Sequence, residues 1–373
     1  MIDEDTGQLE AAAPAMGRSA TIYEVAEAAG VSPSTVSRTF SRPGRVSVRT
    51  ADHVRAVAAQ LGYRVDGVFR PTTSARSKTI GLAISDVTNP FYFGILRGAE
   101  WAAARAGYTL LLVDAQESDV LERENLSRML PLVDGLVIGS TRTSDTVLRS
   151  ISKNTPVVVL NRHVGGLACV VPDSNRGMRR AVEHLTMLGH QHIHYLAGPD
   201  ASWINGMRWL AMREASYELG FHEHRIGPAA PTVEGGQHAA VQVVAKGAKA
   251  VICYNDVMAM GLMRGLSEMG VKVPDDVSVV GFDNIFASDL VTPRLTTVAA
   301  PLTTLGETAV RHIVAMVGGA RPRGDGPTVV PVRLIVRQST GAPVRDGSAP
   351  PRPGLSVSSR ATGRAPRRRS PPP

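Results

Sequence analysis

Cysteine is nearly absent. The 373 residues hold two, Cys169 and Cys253, each inside an apolar run (LACVV and AVICYN). So placed, they read as small buried hydrophobes and supply neither a disulfide framework nor a thiolate metal set. A reducing, cytoplasmic setting is expected. No apolar run approaches the roughly 20 residues that a membrane-spanning helix needs. The opening MIDEDTGQLE is acidic, without the basic-then-apolar layout of a secretory signal. The phosphate-cradling patterns GxGxxG and GxxxxGK followed by Ser or Thr are missing, and no Ser-His-Asp or Cys-His arrangement declares itself. The expectation is therefore a chain with no catalytic residues, no cofactor and no membrane association.

What is present is a globular mixture, 43% hydrophobic and 20% charged. The net charge of +8 is uneven. Residues 20–78 carry Arg38, Arg42, Arg45, Arg49, Arg55, Arg64, Arg70, Arg76 and Lys78 against Glu24, Glu27, Asp52 and Asp66, whereas residues 79–340 balance. The folded positive excess thus lies in one short segment, where an anionic polymer would bind. Residues 1–19 and the Pro/Arg-rich 341–373 hold too few apolar side chains to pack and are expected to be disordered.

Residues 20–63 read as three short helices. Thr21 and Glu24 form a capping box, and Ile22, Val25, Ala26 and Ala29 give one apolar face. Gly30 ends that helix. Ser32 caps a second one that opens on Pro33, a favoured first position, and runs through Phe40. After the loop SRPGRVS, Val48 to Leu61 makes a third, with Val54, Val57, Ala58 and Leu61 inward. Two helices joined by a tight glycine turn are a helix-turn-helix, whose second member enters the major groove. Pro33, Ser34 and Arg38 then reach base edges, with Arg38 able to make paired bonds to guanine. Tyr23, Thr35 and Ser37 suit phosphate, as do Arg49 and Arg55, and the caps Thr21 and Ser32 complete the DNA-facing set on this domain.

Residues 79–340 alternate strand-like runs (TIGLAIS, YTLLLVD, DGLVIGS, PVVVLN, ACVVPD, IHYLAGP, AVICYN, VSVVGFD) with amphipathic stretches. That alternation means doubly wound parallel sheets, and the length favours two lobes. Ligands of such sheets bind beyond the carboxyl ends of the strands. Asp86, Asn89, Phe91 and Phe93 follow the first run, Asn161 and Arg162 the fourth, and Asp173 the fifth. Arg208 follows IHYLAGP, Asn255 and Asp256 follow AVICY, and Asp283 follows VSVVGF. Asp, Asn and Arg beside aromatic faces suit a hydroxyl-rich small molecule, a carbohydrate above all. Asp256 also suits an ordinary helix cap. The histidines of GHQHIHYL invite a metal reading, but no acid or cysteine completes the set, so His192 and His194 are read as a surface strand and no metal is expected.

ATIYEVAEAAGVSPSTVSRTFSRPGRVSVRT followed by LGYR, then KTIGLAISDVTNPFYFGILRGAE, LGHQHIHYLAGP, YNDVMAMGLMRGLSEMGVKVPDDVSVVGFDN and TPRLTTV, resembles the LacI/GalR (lactose-repressor) family over residues 20–340. The resemblance implies an all-α helix-turn-helix head (20–63), a linker (64–78) and a two-lobed domain built like periplasmic sugar-binding proteins (79–340). It also implies a homodimer on a pseudo-palindromic, double-stranded DNA operator, acting as a repressor under a small-molecule effector. Asn161, Arg208, Asn255 or Asp256, and Asp283 fall on effector-contacting positions. The competing classes are an α/β enzyme and a solute-binding protein without DNA binding. Pro231 departs from the family, where an aromatic residue is usual.

The linker departs too. In the family it folds on operator into a helix whose leucine wedges into the minor groove and kinks the duplex. Here that position is Thr72, preceded by Pro71, and Gly67 stands where alanine is usual. A proline costs about 3 kcal/mol inside a helix and a glycine about 1, leaving either a flexible tether or a helix ending at Arg70, with Val68 and Phe69 as the apolar contacts and Arg70 near phosphate. Weak central bending of operator is expected. Circular-permutation assays check it: Pro71→Ser with Thr72→Leu should strengthen the bend, Thr72→Leu alone should not, and a strong bend in the parent contradicts the reading.

Overall fold

The computed structural model describes residues 20–41, 45–61, 63, 76–320 and 326–343. The linker residues Val68, Phe69, Arg70 and Thr72, the expected disordered end at 1–19, and all but 341–343 of the one at 341–373 lie outside the described residues; Gly341 is bonded to His190 and Ser278. The chain divides into two compact units, Met1–Arg76 and Ser77–Pro373.

The first unit holds α1 (Ile22–Ala28), α2 (Pro33–Ser41) and α3 (Val48–Gln60). Thr21 and Glu24 close the capping box on α1, and Gly30 turns the chain at φ +64°, a conformation costly for side chains with a Cβ. Val25, Ala26, Ala29, Val36, Val54 and Ala58 form the buried core. Leu61, expected inward, is 42% exposed. Tyr63 packs there instead, its ring 6.0 Å from that of Phe40.

The second unit has two lobes. The first contains β1 (Thr79–Ile84), α4 (Phe91–Arg105), β2 (Thr109–Asp114), α5 (Asp119–Met129), β3 (Gly135–Gly139), α6 (Asp145–Ser152), β4 (Val157–Leu160) and β5 (Ala168–Pro172). The second contains α7 (Ser174–Met187), β6 (His192–Leu196), α8 (Trp203–Leu219), β7 (His222–Ile226), α9 (Val233–Ala245), β8 (Ala250–Cys253), α10 (Asp256–Glu268), β9 (Ser278–Asp283) and β10 (Thr296–Ala299). α11 (Leu302–Val317) and β11 (Thr328–Val330) return to the first lobe, and β12 (Arg333–Ile335) to the second. The sheet orders are β11-β5-β4-β3-β1-β2 and β12-β10-β9-β8-β6-β7. The pairings are parallel except β10 with β12. Each sheet is covered on both faces by its own pair of apolar clusters, which is why its central strands are continuous apolar runs. The chain passes between the lobes at 172–174, 299–302 and 330–333, so the two sheets hang on adjacent crossovers.

Backbones meet closely where α4 packs on α11. A Cβ on Gly306 would stand 2.0 Å from the Ile95 carbonyl oxygen, whereas one on Gly206, inside α8, meets nothing within 4 Å. Gly306→Ala should therefore destabilise the domain by about 1–3 kcal/mol through overpacking. Gly206→Ala should stabilise it by up to about 1 kcal/mol through helix propensity. Urea midpoints of the two variants check the opposite signs.

Candidate functional site

On the head, Pro33, Ser34, Ser37 and Arg38 are exposed along one side of α2, at helical spacing for a shared face. Tyr23 is 71% exposed on α1, and Arg49 is exposed at the start of α3. Other expected residues are engaged within the head. The Ser32 hydroxyl accepts from Thr35 N at 3.2 Å and lies 2.9 Å from the hydroxyls of Ser34 and Thr35. Thr21 holds the α1 cap, and Arg55 is paired with Asp52 at 2.9 Å. α2 keeps its fixed pose because Val36 on its other side is fully buried.

In the larger unit, the carboxyl ends of the two sheets border one cleft. From the first lobe come Ser85, Asn89, Phe91, Tyr92, Glu117, Ser140, Thr141, Arg142, Asn161 and Arg162. From the second come Pro199, Ala201, Ser202, Trp203, Ile204, Arg208, Pro231, Tyr254, Asn255 and Asp283. Several of these hold left-handed backbone without being glycine: Glu117 (φ 56°), Ser140 (51°), Asn161 (59°) and Asp283 (110°). Such strain persists where surrounding structure over-determines it, and it clusters at functional sites.

The polar geometry divides the expected residues. Arg208 is buried on α8, with its guanidinium 4.1 Å over the Phe282 ring and 5.3 Å from that of Tyr254. It donates to the Tyr254 carbonyl and to Asp283 Oδ1 at 3.4 Å, while its Nε finds no partner within the protein. Burial pushes the Asp283 carboxyl up to about 8 against the opposing pull of Arg208. Asn161 donates to Ser140 Oγ at 3.3 Å, and its Oδ1 is buried without a partner. Asn255 caps α10 by accepting from Met258 N at 2.9 Å, and its amide lies 3.5 Å from the Pro231 carbonyl. Asn89 accepts from Phe91 N at 3.0 Å. Arg162 lines the cleft, but its donors go to the Thr141 and Thr143 carbonyls and to Asp145.

Four expected residues do not line the cleft. Asp86 closes a turn on Thr88, accepting at 2.8 and 2.7 Å. Asp173 caps α7 through Arg176 N at 3.0 Å. Phe93 stacks on Phe286, 6.3 Å away, in a separate groove beside Pro301 and Leu302. Asp256 is fully buried beneath β9 and β10, accepting from Thr297 Oγ1 at 2.5 Å, Ser288 Oγ at 2.6 Å and Ile285 N at 2.9 Å. It anchors the loop that follows Asp283 instead of facing the cleft.

Sequence reasoning missed Ser85, Tyr92, Glu117, Ser140, Arg142, Ser202, Trp203 and Tyr254. Ser140 and Tyr254 directly follow apolar runs, the same signal that marks the others. Glu117 and Arg142 form an ion pair on the cleft wall across 25 residues of sequence, which no local pattern announces. Trp203, the first residue of α8, lines the cleft, as does Tyr254.

The comparisons agree with this geometry. Residues 21–66 match the model for bacterial regulatory proteins of the lacI family, and 182–340 that for a periplasmic binding protein-like domain. The HTH-type transcriptional regulator GalR of Escherichia coli (strain K12) is 30% identical over 337 residues, covering 88% of this chain and 98% of GalR. The chain belongs to the LacI family. It is a DNA-binding transcriptional regulator, with the helix-turn-helix head and two-lobed α/β domain that its sequence predicted. A lac repressor dimer bound to operator and an anti-inducer superposes with a TM-score of 0.65 at 28% identity, covering 87% of this chain and 100% of that one. A CelR–cellobiose complex superposes at 0.64 with 26% identity, covering 86% and 99%.

The Asp256 network gives a testable outcome. Asp256→Ala strands the Thr297 hydroxyl and the Ile285 N–H in the core, at about 1–3 kcal/mol each, leaves Ser288 only the Ile285 carbonyl, and should lower the urea midpoint sharply. Burial also pushes the Asp256 carboxyl from 3.8 up to about 6. A raised folded-state value means this group favours folding most at low pH; that contribution is complete below about 4 and disappears as pH rises through about 6. Stability measured from pH 4 to 7 should fall less in Asp256→Asn than in the parent.

Proposed function

We propose that this LacI-family regulator represses transcription as a homodimer on a pseudo-palindromic operator, and that an uncharged, hydroxyl-rich effector bound between the lobes controls its affinity for DNA. Residues 20–63 read DNA, 64–78 link, and 79–340 sense and dimerise. In this reading Ser34 and Arg38 touch base edges, and Tyr23, Thr35, Ser37 and Arg49 touch phosphate. Arg55 is already paired and contributes less.

The observation that carries the effector reading is a pair of buried, unpartnered polar atoms on facing lobes, Arg208 Nε and Asn161 Oδ1. One is a donor and the other an acceptor, and ligand hydroxyls serve both. Leaving them unmet costs about 1–3 kcal/mol each, so a ligand that bridges them draws the lobes together. On the first lobe's wall the charges are mutually paired, Glu117 with Arg142 and Arg162 with Asp145, which favours a neutral ligand there over an anionic one. Trp203 and Tyr254 supply the aromatic face that Pro231 does not. The cellobiose seen in the CelR complex and the operator and dimer of the lac repressor structure are of the kind expected here. The cleft's task is binding rather than catalysis, in line with relatives that are transcriptional regulators. No helix among the described residues is long and apolar enough to cross a membrane, and cytoplasmic action is part of the same reading. Lobe closure about the crossovers shifts the dimer between two arrangements, because the ligand binds one better than the other.

Arg38→Ala should lose about 1–3 kcal/mol at operator and relax preference at one base pair per half-site; an unchanged ratio of operator to random-DNA affinity contradicts the assignment. For the cleft, a thermal-shift panel of neutral mono- and disaccharides against their phosphates should yield a hit among the neutral sugars. Arg208→Ala and Trp203→Ala should lose that shift while keeping operator binding in a gel. A hit confined to phosphates contradicts the neutral-ligand reading, and one that both variants retain places the effector elsewhere.

A further inference from the structure

His192 and His194 alternate along β6 and so share one face of the second sheet. β7 pairs with β6 in a register that sets His222 beside His192 and His224 beside His194. β7 is the terminal strand of that sheet, so four imidazoles gather at its edge. Ring centroids stand 4.9 Å apart for His192 and His222, 5.4 Å for His192 and His224, and 4.7 Å for His194 and His224. His192 Nδ1 lies 3.1 Å from His224 Nε2. His192, His222 and His224 are exposed, whereas His194, expected on the surface, is 6% exposed. Its Nδ1 is buried without a partner, and the ring bonds to the Ala250 backbone.

The sequence argued against a metal because no acid or cysteine completes a set with the histidines of GHQHIHYL. The pairing of β6 with β7 supplies neither, but it adds two imidazoles from 30 residues away. Metal–nitrogen bonds of about 2.0–2.1 Å place two ligand nitrogens about 2.9–3.4 Å apart in square-planar or tetrahedral geometry, and the His192–His224 separation falls in that interval. Among the described residues, no three or more His, Cys, Asp or Glu side chains stand as a complete metal set. The two nitrogens at chelating separation are His192 Nδ1 and His224 Nε2, 3.1 Å apart, and water would fill the remaining positions. Lys246 lies close enough to act on His194 and His224, and Glu223 on His224.

We propose that His192 Nδ1 and His224 Nε2 chelate one borderline divalent transition-metal ion, Zn²⁺ or Cu²⁺, at the outer edge of the second lobe. On binding, the proton that joins the two rings moves through solvent to the other nitrogen of its own ring, so both imidazoles stay neutral. The ion ties the edge strand to β6 and stabilises the folded lobe as its free concentration rises.

The test uses the full chain without an affinity tag. Titration with zinc chloride should show one ion per chain, and Tm should climb with free zinc. Copper bound to the same chain should show nitrogen hyperfine structure from two imidazoles in its paramagnetic resonance spectrum. His192→Asn and His224→Asn should match the parent Tm in chelator yet bind zinc at least tenfold more weakly, while His163→Asn, remote from the edge, should bind as the parent does. A parent that binds no zinc, or a His192→Asn/His224→Asn double variant with the parent's zinc response, overturns the proposal. Neither result bears on the interlobe cleft, which effector shifts measured in chelator assess separately.

Discussion

Parallel strands covered on both faces must all deliver their carboxyl ends to one edge of the sheet, where the backbone has no further strand to pair with. This constraint organises the larger unit. It applies twice, and the crossovers at 172–174, 299–302 and 330–333 hold the two edges against one cleft. Everything offered to a ligand stands on those edges or on the helices that start from them. Ser85, Ser140 and Asn161 come from the first sheet, and Tyr254, Asn255 and Asp283 from the second. The left-handed backbone at Ser140, Asn161 and Asp283 is the local consequence: a chain leaving a strand must turn at once, and packing holds the turn in place.

Two buried networks keep the second edge in shape. Asp256 fixes the turn after β9 by accepting hydrogen bonds from Ile285, Ser288 and Thr297. Arg208 lies over Phe282, a neighbour of Asp283, and bonds to the Tyr254 carbonyl on the adjoining strand end. One network is satisfied in full and serves the fold. The other is left short of a partner at Arg208 Nε. Buried polar groups are costly when unmet, so that difference separates a structural carboxylate from a site.

The head was legible in the sequence almost residue by residue, because its signals are local. Thr21 with Glu24, Gly30, Ser32 before Pro33, the spacing of Val25, Ala26 and Ala29, and that of Val54 and Ala58 each act within a turn or two of helix. Leu61 was misjudged because the helix ends there and Tyr63, two residues on, offered the larger apolar ring to Phe40. The cleft was legible only in part. A polar residue after an apolar run marks a strand end, and Asn89, Asn161, Arg208, Asn255 and Asp283, picked out in that way, line the cleft. The same rule could not tell a side chain aimed at the cleft from one turned back as an anchor or cap, as with Asp256, Asp86 and Asp173.

The sequence by itself determined the alternation of strand and helix, the basic head and its capped helices, and the family, since each is written in nearest-neighbour chemistry and in the order of motifs along the chain. Only the tertiary structure decided which polar atoms are spent and which remain open. It paired Glu117 with Arg142, consumed Arg162, and brought Trp203 to the cleft that Pro231 leaves without a ring. It also set His222 and His224 beside His192 and His194. These outcomes depend on strand register and on side-chain direction across tens of residues, and a one-dimensional pattern carries neither.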